Sequence, residues 1–244
     1  MDGGVLVLRG VLRKYTAERK SGAFFLSEQE RGILGASAAV AAAIGESGVA
    51  SGAAISATSS ELADYVEFEI GGRHIRGWVW RSPFKEGDFV DAVLNQQQGS
   101  SFDDLLAIYR PSDRIISLYP HLSRGRYSHA INAFKWWAIA STLFLGCMVL
   151  IFAYIFSDTG SMWSSFSHEV FLHVVGAAVS TCYLYFLAYT VWAIHRWKKY
   201  VYAAENVFAA LGWQNVRFID LPQSSKKLRR GDEESDYGEF YFRY

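Results

Sequence analysis

Six histidines, two cysteines and a scatter of Arg–Asp pairs are the side chains of this 244-residue chain that could do chemistry. His74, His121, His129, His168, His173 and His195 show no metal-ligand spacing with one another or with carboxylates. Cys147 and Cys182 each lie inside an apolar run, which suits neither a metal centre nor a structural disulfide. No HExxH, P-loop, GxSxG or CxxC pattern occurs. Nothing in these residues requires catalysis, so the sequence reads as non-enzymatic and without a cofactor. In "RPSDR" two guanidinium groups, Arg110 and Arg114, flank Asp113; an ion-paired joint between a soluble domain and a membrane segment is the expectation there. The stretch "SRGRYSH", with Arg124 and Arg126, reads as a basic anchor at lipid headgroups.

Those anchors need something to anchor. Residues Trp136 to Phe156 carry no charge, and Val170 to Ile194 hold only His173 as a titratable group. About twenty apolar residues in a helix cross a hydrocarbon core roughly 30 Å thick. The two runs predict a transmembrane hairpin with spans at about 134–156 and 170–194. Arg110, Arg114, Arg124, Arg126 and Lys135 precede it, and Arg196, Lys198 and Lys199 follow it; the connecting segment has no Lys or Arg. The positive-inside rule then places both chain ends in the cytoplasm. Trp136, Trp137, Trp163, Trp192 and Trp197 stand near the run ends, as interfacial indoles do.

The first half has another pattern. In "DYVEFEIGGRHIRGWVW" Val66, Phe68 and Ile70 alternate with polar residues, and Gly71-Gly72 marks a two-residue hairpin. Further strands are expected in "GVLVLRGVLRKY", "GAFFLS", Asp88–Leu94 and "FDDLLAIYRP", the last stopped by Pro111. About six short strands suggest a small antiparallel barrel of OB or SH3 type. Its strands carry Glu67, Glu69, Asp88 and Asp91 and no basic-aromatic face, so nucleic acid is not an expected partner. Basic and acidic residues balance at 24 each, which also argues against a global field for nucleic acid.

Residues 32–60 are built almost wholly of Ala, Gly, Ser and small β-branched side chains. Paired short helices packed on the protein are the first reading. A membrane-active hairpin, with Gly48 and Gly52 at helix-packing spacing and a break around Gly45 and Glu46, is the second. In the tail, "YVYAAENVFAALGW" has a helical apolar face with Gly212 as C-cap. "NVRFIDLP" reads as a short strand, "SSKKLRRGDEESDYG" as a solvated segment, and "EFYFRY" as a terminal strand paired with the β domain. The division expected is a cytosolic β-rich domain (1–120, insertion 32–60), a transmembrane hairpin (121–198), and a cytosolic C-terminal helix and strand (199–244). The fold class is an α+β integral membrane protein. The N-terminus has no secretory signal pattern.

The motifs "ADYVEFEIGG", "RGWVWRSPFKEGD", "RPSDRIISLYPHLSRGR", "NAFKWWAI", "VFAALGW" and "YGEFYFRY", spread over nearly the whole chain, resemble a family of proteobacterial membrane proteins described as candidate type VI secretion system effectors. The resemblance implies interbacterial competition at the inner membrane and carries no catalytic residues. It makes the lipid bilayer one partner and a type VI secretion component, or a cognate toxin or immunity protein, another. The alternatives are an immunity or accessory protein that binds a toxin, and a membrane-tethered scaffold or sensor. Oligomeric state stays open.

Overall fold

The alternation around Gly71-Gly72 does form a hairpin. In the computed structural model, which describes residues 4–22, 24, 28–45, 47, 51, 60–96, 104–158, 168–231 and 233–244, β3 (Glu61–Ile70) and β4 (Arg73–Val79) pair antiparallel, with Phe68 opposite Ile75. Gly71 and Gly72 have φ of 59° and 81°, the left-handed pair that a tight primed turn demands. Val66, Phe68 and Ile70 point into the core.

Around this hairpin the sheet extends in both directions. On one side β2 (Arg13–Gly22) pairs antiparallel with β3. Its register slips between Arg13 and Thr16, where Lys14 takes φ 52° and the Glu86 carboxylate accepts the Lys14 and Tyr15 backbone N–H groups. On the other side β4 meets β6 (Asp104–Arg110) in a parallel bridge at Arg76 and Asp104. The sheet continues through β5 (Phe89–Asn95) to β1 (Val5–Val11), both pairings antiparallel. The order is β1-β5-β6-β4-β3-β2, with β7 (Ile115–Leu118) branching from β6 and β8 (Tyr241–Arg243) pairing β7.

The expected OB- or SH3-type barrel is therefore not what forms: among the described residues β1 and β2 stay unjoined and the sheet does not close. Alternation reports which neighbours pair and not whether the ends meet. Both ends carry charge, including Arg9, Arg13, Lys14 and Lys20, a composition that discourages edge pairing. Strand β7 escapes pattern reading because all four of its residues are buried and none alternates.

The terminal "YFR" does pair as a strand, placing Phe242 in the core. Behind it, Trp213 stacks on Tyr244 (centroids 4.2 Å apart) and Phe208 (5.4 Å), with Tyr109 edge-on. Trp213 follows a Schellman end: its N–H donates to the Phe208 carbonyl and that of Gly212 to Ala209. Two other tail expectations fail. "NVRFIDLP" is a 3-10 turn, Val216–Phe218, because left-handed Asn215 (φ 53°) breaks the extended run. Part of the segment read as solvated is helical, Leu221–Lys227, held by Ser225, whose hydroxyl accepts the Arg243 N–H while its carbonyl accepts the Tyr237 hydroxyl. Arg243 closes the tail through an ion pair with Glu233.

Of "GAFFLS", Phe24 is buried edge-on to Trp78 and Tyr119; other parts lie outside the described residues. The small-residue segment opens with α1 (Glu28–Ala43), after which Gly45 takes φ 84°. Glu46, Gly48 and Gly52 are outside the described residues. The chain divides into two units, residues 1–123, 206–214 and 221–244 in the first, 124–205 and 215–220 in the second. Most of the tail thus belongs with the β sheet.

Tyr15 gives the first unit a pH signature. Burial pushes its phenol up to about 12, against a hydrogen bond with the Ser82 hydroxyl that pulls the other way. A free tyrosine titrates near 10. The phenol's contribution to stability is full below pH 10 and is lost as pH rises through 12. Tyr15→Phe keeps the ring beside Phe68 (6.2 Å) but removes the proton. Thermal midpoints of the two proteins should converge between pH 10 and 12; a constant gap would contradict the assignment.

Candidate membrane interface

Two helices dominate the second unit: α2 (Arg126–Asp158, 33 residues) and α3 (His168–Arg196, 29 residues). Segments Arg126–Ile151 and Gly176–Arg196 are long and apolar enough to cross a membrane. A core helix of a soluble protein would pass the same length test, but it would be buried. Here only 6% of each apolar window is buried. Leu143, Leu150, Tyr154, Leu184, Tyr185 and Trp192 all stand exposed. Hiding a large apolar side chain from water is worth about 1.5–3 kcal/mol, so this surface calls for an apolar surrounding.

The helices touch through rings, with Trp137 against Tyr183 (5.9 Å) and Phe144 against Phe186 (5.5 Å). Their buried hydroxyls need no water. Ser141 donates to the Trp137 carbonyl (2.7 Å) and Thr190 to that of Phe186 (2.9 Å), the internal satisfaction that a hydrocarbon setting requires.

At the base of the hairpin the chain is locked by contacts distant in sequence. The Arg126 N–H, at the start of α2, donates to Glu205 Oε1 (2.8 Å), and the Arg126 guanidinium grips both oxygens of the same carboxylate (2.9–3.1 Å). Glu205 thereby caps α2 and pairs its first side chain at once. It rides on α4 (Lys198–Ala210), which begins after a break at Trp197. Arg124 Nε donates to Asp220 (3.1 Å). Between these pairs Gly125 gives its N–H to the Ile219 carbonyl (2.9 Å), and a Cβ there would lie 2.1 Å from the Val216 oxygen. Only glycine admits this approach.

The structure thus gives the two arginines expected as headgroup anchors a carboxylate each, which offsets their charge. Lys135 and Trp136 are exposed, as are Trp192, Lys198 and Lys199. Lys198 lies over the Tyr202 ring (5.7 Å) and Lys199 over Tyr200 (4.9 Å). Trp137 is half-buried and its indole N–H has no partner among the described residues. Trp197 packs on His129 (6.0 Å) and Tyr200, next to Arg196. Trp163 lies outside the described residues.

Arg110, Asp113 and Arg114 belong to the first unit. Arg110 holds Asp113 through two bonds (2.7 and 3.0 Å) and Asp88 through a third, over the Phe84 ring. Burial works to raise the Asp113 carboxyl, but the guanidinium outweighs it and holds the carboxyl below its ordinary range. Arg114, at φ 62°, offers its carbonyl to Tyr244.

Glu205, Asp220, Gly125 and Phe218 were not evident as site residues. Glu205 did leave a signal: it interrupts the apolar face of Val201, Ala204, Val207 and Phe208, and a carboxylate on a buried face requires a partner. No protein-family model, curated protein or solved structure matches this chain.

Two variants test the base. Gly125→Ala should lower stability by about 1–3 kcal/mol, the usual cost of overpacking, read as a fall in the thermal midpoint in detergent. Glu205→Gln should accelerate amide exchange at Arg126 and leave exchange near Phe144 unchanged. Uniform acceleration along α2, or none, would contradict the cap.

Proposed function

We propose that the chain is a two-span protein of the bacterial inner membrane, with both ends in the cytoplasm and the β-sheet unit serving there as a non-catalytic binding module. The observation that carries this reading is the exposed apolar length of α2 and α3. Orientation is supported by Lys198 and Lys199 at one end of the hairpin and by the absence of Lys and Arg from the connecting segment.

The setting we propose is type VI secretion and interbacterial competition, on the resemblance of the motifs quoted above. The small-residue segment 32–60 is then the membrane-perturbing part. Ile33 and Val40 on α1, and Ile44 just past its end, stand exposed at a spacing suited to entering an apolar phase. A second reading, a resident immunity or accessory protein that binds a cognate toxin, is favoured by the capped and ion-paired base of the hairpin, which suits a permanent membrane resident.

Inducible expression in a neutral host separates the two. The effector reading expects slowed growth and depolarisation that disappear when residues 32–60 are deleted. Harmless expression with protection against a neighbouring toxin supports immunity instead; harmless expression without protection leaves a scaffold or sensor. Reporter fusions at Tyr244 and near Ser164 should report cytoplasm and periplasm respectively. The reverse pattern would overturn the orientation.

A further inference from the structure

We infer that the turn Val216–Phe218, together with the start of α4, forms a docking site for the headgroup of an anionic phospholipid. This rests on the two-span reading above. The turn is fixed to the hairpin itself: Ser128 Oγ donates to the Phe218 carbonyl (2.6 Å) and the Gly125 N–H to that of Ile219 (2.9 Å). The attachment presents two side chains outward. Phe218 is 60% exposed and its ring lies 4.9 Å from that of Tyr127, itself exposed. Arg217 is exposed beside it.

Charge selects the ligand. Glu205 and Asp220 offset Arg126 and Arg124. Arg217, Lys198 and Lys199 are exposed and have no carboxylate partner among the described residues. Lys198 stands near the start of α2, because its ammonium (5.7 Å) and the Arg126 guanidinium (5.0 Å) both approach the Tyr202 ring. Depth agrees. Lys198 follows Ile194, the last residue of the apolar run, by four residues, which suits the headgroup layer outside the hydrocarbon. An exposed aromatic pair beside free cations is disfavoured in bulk water and suited to that layer, where rings sit among glycerol and acyl carbons and cations meet phosphate.

Native mass spectrometry of the full chain released from detergent, with equimolar phosphatidylglycerol and phosphatidylcholine as competing probes, tests the site. The wild-type protein should retain phosphatidylglycerol preferentially. The triple variant Arg217→Ala, Lys198→Ala, Lys199→Ala should lose that preference by about tenfold or more. A control altering Lys226, Lys227, Arg229 and Arg230 to alanine should keep it. Equal retention of both lipids, a triple variant that behaves as wild type, or displacement of the lipid by low-millimolar inorganic phosphate would overturn the proposal. Carbonate washing of membranes distinguishes the failures. A chain released by carbonate sinks the two-span reading with it; a chain that stays in the membrane but binds both lipids alike sinks the headgroup site alone.

Discussion

A helix satisfies its own backbone hydrogen bonds, so its side chains decide what may surround it. In α2 and α3 those side chains are apolar over more than twenty residues each and lie almost entirely on the outside. Water would be opposed by every exposed Leu, Ile, Phe and Trp; hydrocarbon is opposed by none of them. The arrangement of the second unit follows from that constraint. Hydroxyls within the pair bond back to their own helix, and lysines gather where α3 ends and α4 begins. The open end of α2 is capped by Glu205 rather than left to compete for water.

How much of this could be read in the sequence depended on the range of the interaction. The two long apolar helices, the Gly71-Gly72 hairpin, the Gly212 cap and the terminal strand are local patterns, and each is where its sequence signal placed it. Sheet closure is not local, and the barrel expectation failed because nothing near β1 or β2 in sequence says whether they meet. The base of the hairpin was invisible for the same reason. Gly125 resembles a loop glycine until the Val216 carbonyl is found above it. Arg124 and Arg126 look like free anchors until Asp220 and Glu205 arrive from far along the chain.

The first unit shows how a balanced chain distributes its charge. Arg9 grips Asp91, Arg19 pairs with buried Asp64, and Arg110 holds Asp88 and Asp113, so the β unit spends much of its basic charge internally. In the second unit Arg124 and Arg126 are paired, while Lys198, Lys199 and Arg217 have no carboxylate partner among the described residues. Of the basic residues that the sequence offers as anchors, Arg124 and Arg126 are thus offset by carboxylates, and the proposed contact with lipid phosphate falls to Lys198 and Lys199, with Arg217 beside them in the proposal.

The chain supplies its own probe of the central claim. Cys147 is exposed on α2 within the uncharged stretch, where a surrounding bilayer would put lipid against the thiol. A membrane-impermeant maleimide applied to open membrane sheets should leave Cys147 unlabelled, and the same reagent should label it fully once SDS disperses the bilayer. Rapid labelling of Cys147 before detergent is added would mean that water reaches the middle of α2, and the bilayer assignment would be wrong.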